Sequence, residues 1–206
     1  YYRQFGDFVP TQQVNNWVAQ QAADMNAYMF GVRVGKKVDK TKVTLWYDYL
    51  SGNEDADSTN NDWRSFNTLY DTGHKFYGLI DNFADPQGDA TSGLGLQDAA
   101  IKIVHPLQPG WTLKADYHNF WTAEDMGDNL AVWNGNNYGG NNSDDASAGK
   151  YLGQELDLTL AHKYSPGLAM QFGYSWFDGS EDWQTHDNDA QSEDKHWFYA
   201  QTKLSY

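Results

Sequence analysis

The sequence has no cysteine, which excludes a disulfide framework and thiol chemistry and leaves the redox compartment open. It has no apolar run approaching eighteen residues, so it holds no transmembrane helix. Basic residues are scarce: 14 Lys+Arg against 28 Asp+Glu give a formal net charge of -14. Phosphate binding needs clustered Lys and Arg, so nucleic acid is not an expected partner. No secretory signal is visible and Tyr1 is not an initiator methionine, so the chain is expected to be processed or cut. Apolar residues make up 40%, a little low for a soluble globule, and the mean hydropathy of -0.77 argues against an ordinary oily core. Rings are plentiful instead: nine Trp, fourteen Tyr and ten Phe. An acidic, aromatic-rich chain of this kind fits a secreted β-protein or an outer-membrane barrel.

Period-two alternation decides the class. Tyr28, Phe30, Val32 and Val34 share one face, with Met29, Gly31, Arg33 and Gly35 opposite. Val43, Leu45, Tyr47 and Tyr49 oppose Thr44, Trp46 and Asp48. Ala99, Ile101 and Ile103 oppose Asp98, Ala100 and Lys102, and Trp111, Leu113, Ala115 and Tyr117 oppose Thr112, Lys114, Asp116 and His118. Leu156, Leu158 and Leu160 oppose Glu155, Asp157 and Thr159. Leu168, Met170, Phe172, Tyr174 and Trp176 oppose Gln171, Gly173 and Ser175, and the chain closes with Phe198, Ala200, Thr202, Leu204 and Tyr206 on one face. That makes seven strands, with YYRQFGDFV as the end of an eighth. At about ten to twelve residues they exceed the common soluble strand and match a tilted membrane crossing.

Connections at 38–42, 107–110 and 163–167 are tight, whereas 53–94, 124–150 and 180–194 are long and polar. This alternation predicts an antiparallel up-and-down transmembrane β-barrel with tight turns at one rim and long extracellular loops at the other. The three long loops hold nineteen of the 28 acidic residues and three of the 14 Lys/Arg. Charges on the strands lie opposite the apolar face. An unpaired buried charge costs several kcal/mol, so the charged face is expected to line water and the apolar one to meet lipid. Arg33, Asp48, Lys102, Lys114, Asp116, Glu155, Asp157 and Lys203 are the expected pore-lining residues. Trp111, Tyr164, Tyr174, Trp176 and Tyr206 fall near strand ends, where aromatic girdles form.

Two stretches carry a family resemblance. The ending FYAQTKLSY, with Phe198, Leu204 and Tyr206 in alternation, looks like the C-terminal membrane-insertion signal of Gram-negative outer-membrane barrels. YDYLSGN, followed by a polar run and FNTLYDTGHKFYGLIDNF, is similar to the alginate-export family of outer-membrane porins. The resemblance implies a barrel of about eighteen strands, needing roughly twice this chain. Residues 1–206 would then be a single domain forming its C-terminal part. It also implies an outer-membrane location, lipid and lipopolysaccharide as surroundings, and the barrel-insertion machinery as a partner. Phe66, Tyr70, His74, Lys75, Phe76 and Tyr77 are expected to form an ordered constriction loop, folded against the barrel mouth or into its lumen, that either narrows the pore or packs on the wall as a structural plug.

Enzyme chemistry finds no foothold. The six histidines include no i, i+4 pair and no HExxH pattern. NEDADSTNND has the acidic spacing of a calcium loop, but Thr59 and Asn60 stand where an EF-hand needs Asp/Asn and Gly. Weak calcium binding by acidic loops stays open, and no other cofactor is expected. GLGL at 93–96 is not a phosphate loop. The expected function is passive passage or export of small polar or anionic solutes, poly- or oligosaccharide included. The alternative is a soluble or surface β-barrel that binds carbohydrate on its rings.

Overall fold

The computed structural model describes residues 1–8, 23–53, 62–69, 72–84, 91, 93–125, 149–181 and 194–205. The described residues are all-β, in nine strands: β1 (Tyr2–Phe8), β2 (Ala23–Val38), β3 (Thr41–Leu50), β4 (Asp62–Trp63), β5 (Leu96–Gln108), β6 (Trp111–Trp121), β7 (Tyr151–Ser165), β8 (Leu168–Gly179) and β9 (Lys195–Leu204). Eight form one antiparallel meander in the order β1-β2-β3-β5-β6-β7-β8-β9. The two-residue β4, which alternation does not reveal, adds a short parallel pairing to β2. Among the described residues β1 and β9 do not pair, so the sheet is open, consistent with part of a barrel.

The strands outlast their alternating cores. β2 runs 16 residues and β7 runs 15, because the ladders continue almost to the turns. β2 and β3 are joined by Asp39 and Lys40 alone, and Asp39 takes the left-handed conformation (φ 53°) that a tight hairpin requires. Gly110 (φ 82°) does the same between β5 and β6.

The apolar face points outward. Val32 (53% exposed), Val34, Leu45, Ile101, Leu158 and Phe172 (47%) all present open surface. The opposite face is covered: Asp48, Asp98, His118, Glu155, Asp157 and Ser175 are buried. This inverts the usual soluble arrangement, and a lipid-facing wall accounts for it. Rings bracket the outer aliphatics. Tyr28, Phe30, Tyr47 and Tyr49 stack near the loop end of β2 and β3, with Tyr174 against Phe198 on β8 and β9. Trp111, His162 and Tyr164 cluster near the tight turns.

Candidate functional site: a segment strapped across the inner wall

The segment between β3 and β5 is drawn onto the inner face. Asn67 makes a reciprocal pair with Gln4 of β1: its backbone N–H donates to Gln4 Oε1 (2.8 Å) and its carbonyl accepts from Gln4 Nε2 (2.8 Å). The backbone N–H groups of Leu79 and Ile80 both donate to Glu155 Oε1 of β7, at 2.7 and 2.9 Å. On β9, Lys195 Nζ donates to Asn82 Oδ1 (2.9 Å) and the His74 ring stacks on Trp197 at 4.3 Å. One segment therefore touches β1, β7 and β9.

These contacts imply curvature. Thr68 Oγ1 donates to the Ala84 carbonyl, so Asn67 on β1 and Asn82 on β9 each lie within two residues of one shared hydrogen bond. Laid flat, seven strand spacings would separate β1 from β9 by about 33 Å. The sheet therefore curls around the segment, which crosses the enclosed space as a strap.

The strap's shape follows from its sequence. Asp81 folds it back: its carboxylate accepts from the His74 backbone N–H (2.7 Å) and contacts His74 Nδ1 (2.8 Å). His74, Tyr77 and Asp81 adopt positive φ, between 56° and 65°. Gly78 lies flat on Glu155, and a Cβ there would stand 2.5 Å from the carboxyl group. Its φ of +85° also favours glycine. Apolar burial then seals one side. Phe83 is fully buried, 4.6 Å from the Phe120 ring and 5.9 Å from Phe177, in a cluster with Leu50, Leu96 and Leu152.

Below this plug, toward the tight turns, lies a belt of paired charges. Arg33 Nη2 meets Asp48 at 2.7 Å, and its guanidinium lies 3.4 Å from the centre of the Trp46 ring. Gly31 makes room for the pair, since a Cβ there would approach both side chains to within 2.3 Å. Lys102 Nζ donates to Asp116 Oδ2 and to His118 Nε2, each at 3.0 Å. An ammonium can only donate, so Nε2 accepts and the His118 Nδ1–H donates to Asp98 Oδ1 (2.8 Å). The Ser175 hydroxyl donates to Asp157.

Closer still to the turns the inner face is basic. The register opposes Lys37 with Lys42 and carries the row on through Val104 to Lys114. Lys163 and Lys203 both pair with Ala169 one strand apart. Among the described residues, no carboxylate of the strands shares this part of the inner face.

A family model described as alginate export matches residues 1–195. The chain belongs to the alginate export family. Membership implies an outer-membrane transport protein of Gram-negative bacteria, and the barrel wall with ring girdles described above agrees with it. A comparison with curated proteins found no match.

The structure places the family member's candidate pore residues in two groups. Arg33, Asp48, Lys102, Asp116, Glu155 and Asp157 lie together in the belt or under the strap, while Lys114 and Lys203 stand apart and exposed toward the turns. Of the candidate loop residues, Phe66 and Tyr77 are buried, whereas His74, Lys75 and Phe76 are exposed. Tyr70 and Tyr206 lie outside the described residues, as does most of the acidic run 53–62. Phe198 (73% exposed) and Leu204 (69%) are on the outer face. Sequence reasoning passed over Gln4, Asp98, His118, Gly31 and Phe83. Strand parity already put Asp98 and His118 on the polar face, but nothing local marks them as mutual partners.

Proposed function

We propose that the chain forms part of a water-filled outer-membrane channel through which small polar or anionic solutes pass without a chemical step. The observation that carries this reading is the strap: a loop drawn onto the charged face of a curled sheet whose other face is apolar and open. An ordered inward loop narrows a pore and selects what passes. The lysines at the tight-turn rim favour collection of anions there. The paired belt beyond them carries acid and base together, so it favours polar solutes over ions of one sign.

The open edges bear on assembly. In lipid, unpaired backbone groups at β1 and β9 cost several kcal/mol each, so both edges have to be paired in the assembled barrel. Outer-membrane lipid, lipopolysaccharide and the insertion machinery are the partners this reading supplies, and weak calcium binding is confined to the acidic loops. The test is reconstitution of the full protein into planar bilayers. Stepwise ion currents, with a detergent requirement in solution, are expected. A protein monodisperse without detergent and silent in bilayers would contradict the reading.

A further inference from the structure

Glu155 and Asp157 sit side by side on the inner face of β7, where the strap crosses it, and both are buried. Glu155 Oε1 takes the N–H groups of Leu79 and Ile80, and Asp157 Oδ1 takes the Ser175 hydroxyl. That leaves Glu155 Oε2 and Asp157 Oδ2, which are closed to solvent and have no donor among the described residues. The two carboxyl groups are within hydrogen-bonding reach of each other. Gly78 of the strap lies against Glu155 and covers it.

The neighbours supply no donor. His118 Nε2 is 4.0 Å from Asp157 Oδ2, but its lone pair accepts from Lys102, so it has no hydrogen to offer. Around the pair, β6 places Asp116 and His118, and β5 places Asp98 and Lys102, whose ammonium is already shared between Asp116 and His118. β8 presents Ser175 and Phe177, neither of which titrates. On β9, Lys195 is turned to Asn82 and Tyr199 to Thr159, and on the strap His74 and Asp81 pair with each other. Among the described residues no third side chain joins the pair as a metal ligand. Two ionised carboxylates here would set like charges against each other away from water. A single proton removes the fault, because one carboxyl becomes the O–H donor that its neighbour lacks.

We propose that Glu155 and Asp157 share one proton and that this proton is the latch of the strap, which docks on β7 only while the pair holds it. Away from the strap the carboxyls meet water and ionise in the ordinary carboxyl range. Docking therefore takes up a proton, so it is complete in acid and weakens as the pH rises into the alkaline range. An ionised Glu155 would accept the two N–H groups more strongly, but a second buried charge against Asp157 costs more than that gain.

Infrared spectroscopy and limited proteolysis of the detergent-solubilised full protein test the latch. At neutral pH the wild type is expected to show the carbonyl band of a protonated carboxyl. Glu155→Gln and Asp157→Asn should each lack it, because an amide N–H then bridges the pair in place of the proton. Nicking between β3 and β5 should accelerate at least several-fold in the wild type from neutral to alkaline pH, measured relative to either variant under the same conditions. The variants keep their donor at every pH, and one suffices if the other fails to fold. A wild type without the band, a band that survives in full in the variant, or an equal pH response of wild type and variant would overturn the latch. Nicking that rises with pH while bilayer currents stay constant would uphold the latch and tell against the strap as the constriction of the channel.

Discussion

The inner wall has two halves built from the same alternating strands, and they behave as different materials. Toward the long loops, side chains are buried or half-buried and partnered: Phe83 in its ring cluster, Glu155 under two N–H groups, Lys102 between Asp116 and His118. Toward the tight turns, Lys37, Lys42, Lys114, Lys163 and Lys203 are exposed on an inner face free of described strand carboxylates. The difference traces to the strap. Where it covers the wall, desolvation forces every charge to find a partner. Where it does not, water solvates the lysines and their like charge is tolerated. In the proposed channel, the covered half holds the shape of the passage, and the open half sets the field at its mouth.

Predictions that break the covered half come first. Phe83→Ala removes a fully buried ring, which typically costs about 3–5 kcal/mol. Protease nicking between β3 and β5 should accelerate strongly while the outer strands keep their protection. Unchanged nicking would mean the strap is held elsewhere. Glu155→Ala follows, with the loss of two buried hydrogen bonds, worth about 0.5–1.5 kcal/mol each. It should raise single-channel conductance and current noise, with Glu155→Gln intermediate because its amide oxygen still accepts.

The contrast between halves is sharpened by one pair of lysines. Lys114→Glu, in the open half, should shift ion preference toward cations in bilayer recordings and leave thermal stability unchanged. Lys102→Glu, in the belt, would place a third carboxylate beside Asp116 and near Asp98, and should lower stability as well as shift selectivity. Identical behaviour of the two variants would erase the distinction. The smallest effect is expected at the half-exposed pair Arg64–Asp62, 3.4 Å apart. Asp62→Asn should change stability by less than about 1 kcal/mol, measured by denaturant unfolding in detergent.

Most of the wall was legible because a β-strand writes its two environments in alternate letters. Val32 and Val34 against Arg33, or Ile101 against Lys102, need no tertiary information to sort. The strap's interior location was legible only as an expectation from its ring content and family resemblance. What fixes it, Gln4 against Asn67 and Glu155 against Leu79 and Ile80, joins residues more than sixty positions apart. No local pattern records such a pairing. Gly78 and Gly31 read as ordinary glycines until the carboxylates beside them are seen. β4 is too short for periodicity to register.

The central claim is which face meets lipid. Because the chain has no cysteine, single-cysteine variants give an unambiguous readout. In lipid vesicles, cysteines at Val34, Leu158 and Phe172 should resist a membrane-impermeant thiol reagent, and those at Thr112, Gln171 and Gln201 should react. The opposite pattern, with Thr112, Gln171 and Gln201 protected and Val34, Leu158 and Phe172 labelled, would contradict the account.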